Sequence, residues 1–257
     1  MERVATAITH CFMRLVNGRP GSFESLFAGE PRINTPLHGE IRGRRAFAGF
    51  IDEQRRLLSE EKARAELFAI TATGERIVAE FLLTLHRGGT PVVIPIAVAA
   101  DRTADAVSMI RVYYSSWPLR GRHRIRPPII VPAADLVEPA IVRAYTAALK
   151  RGDTEAVLTL FEEDGYAREP SGAGFRHEGV EGLRAFYSEI LADGGISLTH
   201  CTATFDGTRC AVEYTCDRWG TEALPPQAGM AVYELSGNGR LAAARIYDDI
   251  SPPGERG

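Results

Sequence analysis

Cysteine is scarce in this chain: four in 257 residues (Cys11, Cys201, Cys210, Cys216), with neither a CxxC pair nor a zinc-type quartet. That argues against a disulfide framework or a structural metal and for reduced thiols in a cytoplasmic protein. Long hydrophobic runs are missing too. The longest strongly apolar stretch, Pro91–Ala100, is too short to span a bilayer and is interrupted by Pro95. The opening residues MERVATAITHCFMRLVNG lack the charged, apolar and small-residue succession of a secretory signal. Neither charge dominates: the net charge of −3 gives no overall pull toward nucleic acid or an anionic membrane.

What is present is the makeup of a soluble globular protein, 45% hydrophobic and 25% charged, long enough for two domains that each bury a core. The chain also repeats itself. ESLFAGEPRINTP (24–36) is a diverged twin of LTLFEEDGYAREP (158–170), with Phe27 and Phe161, and Pro36 and Pro170, each 134 positions apart. The same offset relates MIRVYYSSWP (109–118) to AARIYDDISP (243–252), pairing Arg111 with Arg245 and Tyr113 with Tyr247. TATGERIVAEF (71–81) answers TFDGTRCAVEY (204–214) one residue off that register. Matched anchors with a drifting register are what duplication and divergence leave behind.

Each copy reads in one order. A long helix is expected over Ala5–Asn17 and Val137–Arg151, followed by Gly18 or Gly152, then a short helix capped by Ser22 or Asp153. A third helix is expected over Arg45–Leu58 and Glu181–Leu191. Strands are expected at Arg76–Leu85, Val92–Ala99 and Ser108–Tyr114, and at Cys210–Arg218, Met230–Leu235 and Leu241–Tyr247. Helices ahead of an antiparallel meander give an α+β fold: two tandem cone-shaped domains, each with helices packed on a curved, mainly antiparallel sheet. The boundaries fall at 1–118 and 137–257. The Pro/Arg-rich segment between them, 119–136, reads as a solvated linker; a phosphate contact from Arg120, Arg122, Arg124 and Arg126 lacks supporting aromatics.

RAYTAALKRGD, LFEEDGYAREPSG, GLRAFY and GRLAAARIYDD, in that order, resemble the ketosteroid isomerase and SnoaL-like polyketide cyclase superfamily, within the nuclear-transport-factor-two-like fold. The resemblance spans nearly all of 137–253 and, more weakly, 4–118. It implies a cone enclosing an apolar pocket. It places Glu169 where isomerases keep a general base, Tyr145 where they keep an oxyanion-stabilising tyrosine, and Asp248 where cyclases keep an acid/base aspartate. The isomerases' second oxyanion donor, a protonated aspartate, would fall near Gly229, where no acid stands.

The residues allow the same roles. A carboxylate such as Glu169 moves protons at neutral pH, and more readily where an apolar pocket desolvates it; the matching Thr35 does not. Neighbours on a strand face opposite ways, so only one of Asp248 and Asp249 points inward. Trp219, Tyr187, His177 and Gly229 are the expected substrate-binding residues around them. The first copy has Cys11, Thr35 and Tyr114 at the three key positions, with His38 and Glu40 in its turn, and reads as non-catalytic. The function expected is therefore a cofactor-independent isomerase or cyclase, with no metal, working by enolisation on a small hydrophobic carbonyl compound such as a polyketide or terpenoid intermediate. The alternatives are a protein that binds a hydrophobic ligand unchanged, and an epoxide hydrolase or epoxide-opening cyclase. The partners expected are that small ligand and the packing of the two domains on each other, compatible with a homodimer, with no nucleic acid or membrane.

Overall fold

The computed structural model describes residues 2–17, 23–103, 106–172 and 174–251. The first domain opens with α1 (Glu2–Val16) and a short 3-10 turn (Phe23–Leu26), followed by β1 (Arg32–Thr35), β2 (Gly39–Arg42) and α2 (Arg44–Glu60). Four long strands complete it: β3 (Arg64–Ala72), β4 (Arg76–Arg87), β5 (Thr90–Thr103) and β6 (Ala106–Tyr113). A single-turn helix, α3 (Trp117–Arg120), leads into the connecting segment. The second domain repeats the plan with α4 (Ala140–Arg151), α5 (Thr154–Leu158), β7 (Phe161–Arg168), β8 (Arg176–Glu178) and α6 (Gly179–Ile190). It ends with β9 (Ile196–Phe205), β10 (Arg209–Trp219), β11 (Glu222–Leu235) and β12 (Leu241–Tyr247).

The sheets have matching orders, β2-β1-β6-β5-β4-β3 and β8-β7-β12-β11-β10-β9. The β1–β6 and β7–β12 pairs are parallel and the other pairs antiparallel. In α4 the buried Val142, Tyr145, Ala148 and Leu149 share one face, and the helix stops at Gly152, whose φ of 70° suits a residue without Cβ. Asp153 then caps α5 through a 3.0 Å bond from the Ala156 amide. Ser22, the cap expected in the first copy, lies outside the described residues. Beyond the six expected strands the fold has β1, β2, β3, β7, β8 and β9, and β5 and β11 run longer than expected. β3 is half exposed and shows no clean alternation, β9 likewise carries exposed and half-buried residues, and the front of β11 contains Pro225 and Pro226.

The sheets meet face to face. Val78, Ala97, Ala99 and Tyr113 of the first pack against Ala211, Ala228, Met230, Val232 and Tyr247 of the second. Central strands are therefore buried on both sides: Ile77, Ala79 and Phe81 join the helix-covered core while Val78 and Glu80 face the other domain. Tyr247 accordingly packs against the first domain, not under its own helices. Two crossed ion pairs follow the repeat. Arg245 binds Glu80 at 2.6 and 2.9 Å, and Arg111 binds Glu213 at 2.5 and 2.9 Å. Tyr247 donates to Glu80 at 2.5 Å and Tyr113 to Glu213 at 2.7 Å. The Arg245–Glu80 side chains are 0% exposed, so both charges depend on protein partners for solvation; Arg245 also bonds Glu234 at 2.8 Å and Arg111 also bonds Asp101.

The connecting segment is largely exposed, as its composition suggests, but it is pinned at a few residues. Arg126 is buried, with its guanidinium 4.5 Å from the Tyr113 ring centroid and 2.7 Å from the Asn34 side-chain oxygen. Its position mirrors Arg168, whose guanidinium lies 4.7 Å from the Tyr247 ring centroid. The first copy has Asn34 where the second has Arg168, and the linker arginine fills that place. Farther along, Glu138 binds His200 at 2.6 Å. Among the described residues no helix is long and apolar enough to cross a membrane.

Candidate functional site

The second domain encloses a cavity of about 110 Å³ between α4, α6 and the concave face of its sheet. Glu169, Tyr145, Asp248 and Trp219 all line it. Glu169 is carried there by the end of β7, just before Pro170. Its carboxylate is 2.7 Å from His177 Nε2, with 30% of the side chain exposed, at the cavity's rim. His177 is not part of the lining; it is held by stacking on Phe186, ring centroids 4.3 Å apart. The base expected in a dry pocket thus sits at a half-open edge, anchored by a histidine.

Tyr145 presents its ring from α4, and its hydroxyl is 2.8 Å from that of Tyr187. Tyr187 is buried behind it and does not reach the cavity, so its expected place as a substrate contact becomes one of support. With Tyr187 donating, Tyr145 keeps its own proton for a ligand. Burial pushes the Tyr145 phenol up to about 12, so it stays a neutral donor at physiological pH. Trp219 closes another wall, its indole N–H donating to the Ile190 carbonyl at 2.9 Å.

Asp248 lies just past β12. Its neighbour Asp249 turns the other way, toward Ser115, Ser116 and His123. Burial raises the Asp248 carboxyl from 3.8 to about 6, although hydrogen bonds from Tyr214 and the Ile250 amide and the nearby His123 oppose the shift. The Tyr214 hydroxyl donates to Asp248 Oδ2 at 2.6 Å. Gly229 explains how Tyr214 gets there. The two residues face each other across β10 and β11, and a Cβ at Gly229 would come within 2.4 Å of the Tyr214 ring. Gly229 therefore makes room for a tyrosine and does not itself line the cavity, a correction to its expected role.

Tyr214 and His123 also line the cavity and lie outside the set read from sequence. Tyr214 carried a signal, the glycine opposite it in mid-strand. His123 carried none, because it comes from the segment between the domains. Its Nδ1 is 3.1 Å from Asp249 Oδ1, and Asp249 also accepts from the Ser116 amide and from the hydroxyls of Ser115 and Ser116. Asp249, pointing away from the cavity, thus fixes a linker residue that points toward it.

With this geometry in place, comparison with known proteins gives a family match over residues 142–244. These residues are a SnoaL-like domain. The SnoaL-like domain contributes Tyr145, Glu169 and Tyr214 directly, with Asp248 just beyond the matched stretch. Three similar solved structures show how far the likeness runs. One is a Sinorhizobium meliloti protein assigned as a polyketide cyclase (23% identity, 42% of this chain and 94% of that one, TM-score 0.37). Another, from Catenulispora acidiphila, has a ketosteroid isomerase-like fold and was solved with trimethylamine (22% identity, 45% and 90%, TM-score 0.39). The third is SalBIII, an epoxide hydrolase/cyclase-like enzyme of pyran ring formation in salinomycin (13% identity, 43% and 89%, TM-score 0.36). No curated protein matches the chain.

Proposed function

We propose that the second domain is a cofactor-independent isomerase or cyclase acting by proton transfer on a small, hydrophobic carbonyl compound of the polyketide or terpenoid type. One observation carries this reading: two carboxyl groups of different character, Glu169 at the rim and Asp248 in the interior, line one apolar cavity. Asp248 titrates at about 6, near the pH at which a proton carrier is most effective. In the proposed cycle Glu169 removes a proton next to the carbonyl, and His177 keeps its carboxylate aimed. Tyr145 donates to the oxygen of the resulting enolate. Asp248, in its protonated form, returns a proton to carbon or to a leaving oxygen; the Tyr214 hydroxyl donates to the carboxylate left behind, and exchange with solvent then takes the proton from Glu169 and restores it to Asp248. A cavity of about 110 Å³ suits the reacting end of a substrate whose remainder reaches the rim.

The test is solvent deuterium exchange. Simple cyclic ketones incubated with the protein in deuterated water should gain deuterium at the carbon next to the carbonyl. Glu169→Gln should lower that rate by about a hundredfold or more with the fold intact. Exchange at the parent rate in the Gln variant would remove Glu169 as the base. The same pairing of an acid that is protonated near neutrality with a second carboxylate also suits epoxide opening. Oxygen from labelled water appearing in an epoxide-derived product would favour that reading.

A further inference from the structure

The second-domain cavity borrows part of its wall from chain that belongs to neither sheet. The stretch 115–126 leaves the first domain and is tied to the second at three places. Asp249, just past β12, accepts from Ser115, Ser116 and the Arg124 amide. Trp117 meets Phe175 edge to face, ring centroids 6.1 Å apart, and the Arg126 carbonyl accepts from the Ala228 amide of β11 at 2.8 Å. Between these ties stands His123, which lines the cavity together with Glu169 and Asp248.

His123 is held as a proton-handling histidine is held. Asp249 accepts from the Ser115 hydroxyl at 3.0 Å, the Ser116 amide at 2.9 Å, the Ser116 hydroxyl at 2.5 Å and the Arg124 amide at 3.0 Å. The carboxylate is the acceptor in each, and at its 3.1 Å contact with the imidazole the Nδ1–H donates. That bond fixes ring orientation and tautomer, and makes Nε2 the atom where the ring gains and loses a proton. The two side chains are 10% and 2% exposed, so the pair is nearly enclosed yet keeps an edge to solvent at the histidine.

Asp248 needs such a group. It gives up a proton in each round of the cycle and must regain one, although its side chain is buried. Its own hydrogen-bond donors are poor carriers. Burial pushes the Tyr214 phenol well above its usual 10, and the Ile250 amide does not titrate. Glu169 ends the round holding the proton taken from carbon. Histidine is the remaining residue type in the lining that ordinarily changes charge near neutrality, and the charge of His123 acts on the Asp248 carboxyl.

We propose that His123, lent by the inter-domain segment and positioned by Asp249, relays protons between solvent and Asp248. The relay rests on the proton-transfer cycle proposed above. In each round the imidazolium passes its Nε2 proton through water to the Asp248 carboxylate, keeps the Nδ1 proton on Asp249, and takes a replacement from solvent. Turnover in the second domain therefore depends on the joint between the domains.

Cyclohexanone in deuterated water tests this with the full chain, below about pH 6, where Asp248 starts protonated. With protein in excess, the first deuterium enters without any relay; with ketone in excess, every round requires one. His123→Asn, whose side-chain amide keeps a donor for Asp249 but has no Nε2, should match the parent in the first regime. In the second it should be slower by about a hundredfold. His123→Ala should be slowed in the same way and regain the lost rate when free imidazole is added. If His123→Ala does not fold by circular dichroism, the His123→Asn comparison decides alone. The relay is overturned if His123→Asn keeps the parent rate in excess ketone, if it slows the first deuterium as much as the later ones, or if imidazole restores nothing to folded His123→Ala. A parent that takes up no deuterium in either regime overturns the proposed function and the relay together. A parent that exchanges, with Glu169→Gln slow and His123→Asn unaffected, overturns the relay alone.

Discussion

The two domains share strand order, helix placement and interface, yet they differ at every position that could do chemistry. Glu169, Tyr145, Tyr214 and Asp248 in the second stand where the first has Thr35, Cys11, Phe81 and Tyr114, respectively. Phe81 shows the exchange at the level of packing. It follows Glu80 as Tyr214 follows Glu213, but it stacks on Phe12 with ring centroids 4.2 Å apart, where Tyr214 reaches over Gly229 to bond a carboxyl. Two carboxyl side chains, Glu169 and Asp248, line the second cavity, whereas the cavity of the first domain, about 370 Å³, is more than three times larger and has one, Glu61. A single scaffold has thus been divided between an interior furnished with acids and an interior with space.

What the domains keep in common is the interface, and breaking it should have the largest effect on the fold. Glu80→Ala leaves buried Arg245 with Glu234, at 2.8 Å, as its counter-charge, and takes away the acceptor of Tyr247 as well; it should cost about 3 kcal/mol in urea unfolding. Glu213→Ala, its mirror, should cost a comparable amount, since Arg111 keeps Asp101 as Arg245 keeps Glu234. A large inequality between the two would show that the repeat is less symmetric in energy than in geometry.

The next effect separates the domains, because only the second buries a titrating carboxyl. At pH below 3.8 Asp248 is protonated whether the chain is folded or not, and contributes nothing. As pH rises toward about 6 the unfolded chain gives up this proton while the folded one retains it. Stability therefore falls with rising pH across that window and stays lowered above it. Asp248→Asn should remove this slope and gain up to about 3 kcal/mol at about pH 8, with no gain at about pH 3.5, in matched urea titrations. Smaller still is Tyr214→Phe. Losing a hydrogen bond to the ionised form should raise the Asp248 titration by about one unit, readable by carboxyl NMR.

Much of this was legible in the sequence. The helices followed from apolar spacing, β12 begins and ends where its pattern does at Leu241 and Tyr247, and the repeat pointed to Glu169 by contrast with Thr35. Glu169, Tyr145 and Asp248 do line one cavity. Less legible were contacts whose partners lie far apart in the chain. Glu80 and Glu213 read as polar interruptions in apolar strands, and only the facing sheet shows that each answers an arginine of the other copy. His123 and Arg126 looked like solvated linker residues, because composition does not reveal that Asp249, Asn34 and Tyr113 wait to receive them. Tyr187 and Gly229 read as substrate contacts in the sequence, but Tyr187 bonds Tyr145 from behind and Gly229 makes room for Tyr214.

The central claim is that Asp248, buried opposite Glu169, carries a proton in the second domain. The pH dependence of deuterium exchange into a ketone tests it most directly. The parent should show exchange declining as pH rises through about 6, with that decline absent and the rate much reduced in Asp248→Asn. An Asp248→Asn variant with the same rate and the same decline as the parent would contradict the account.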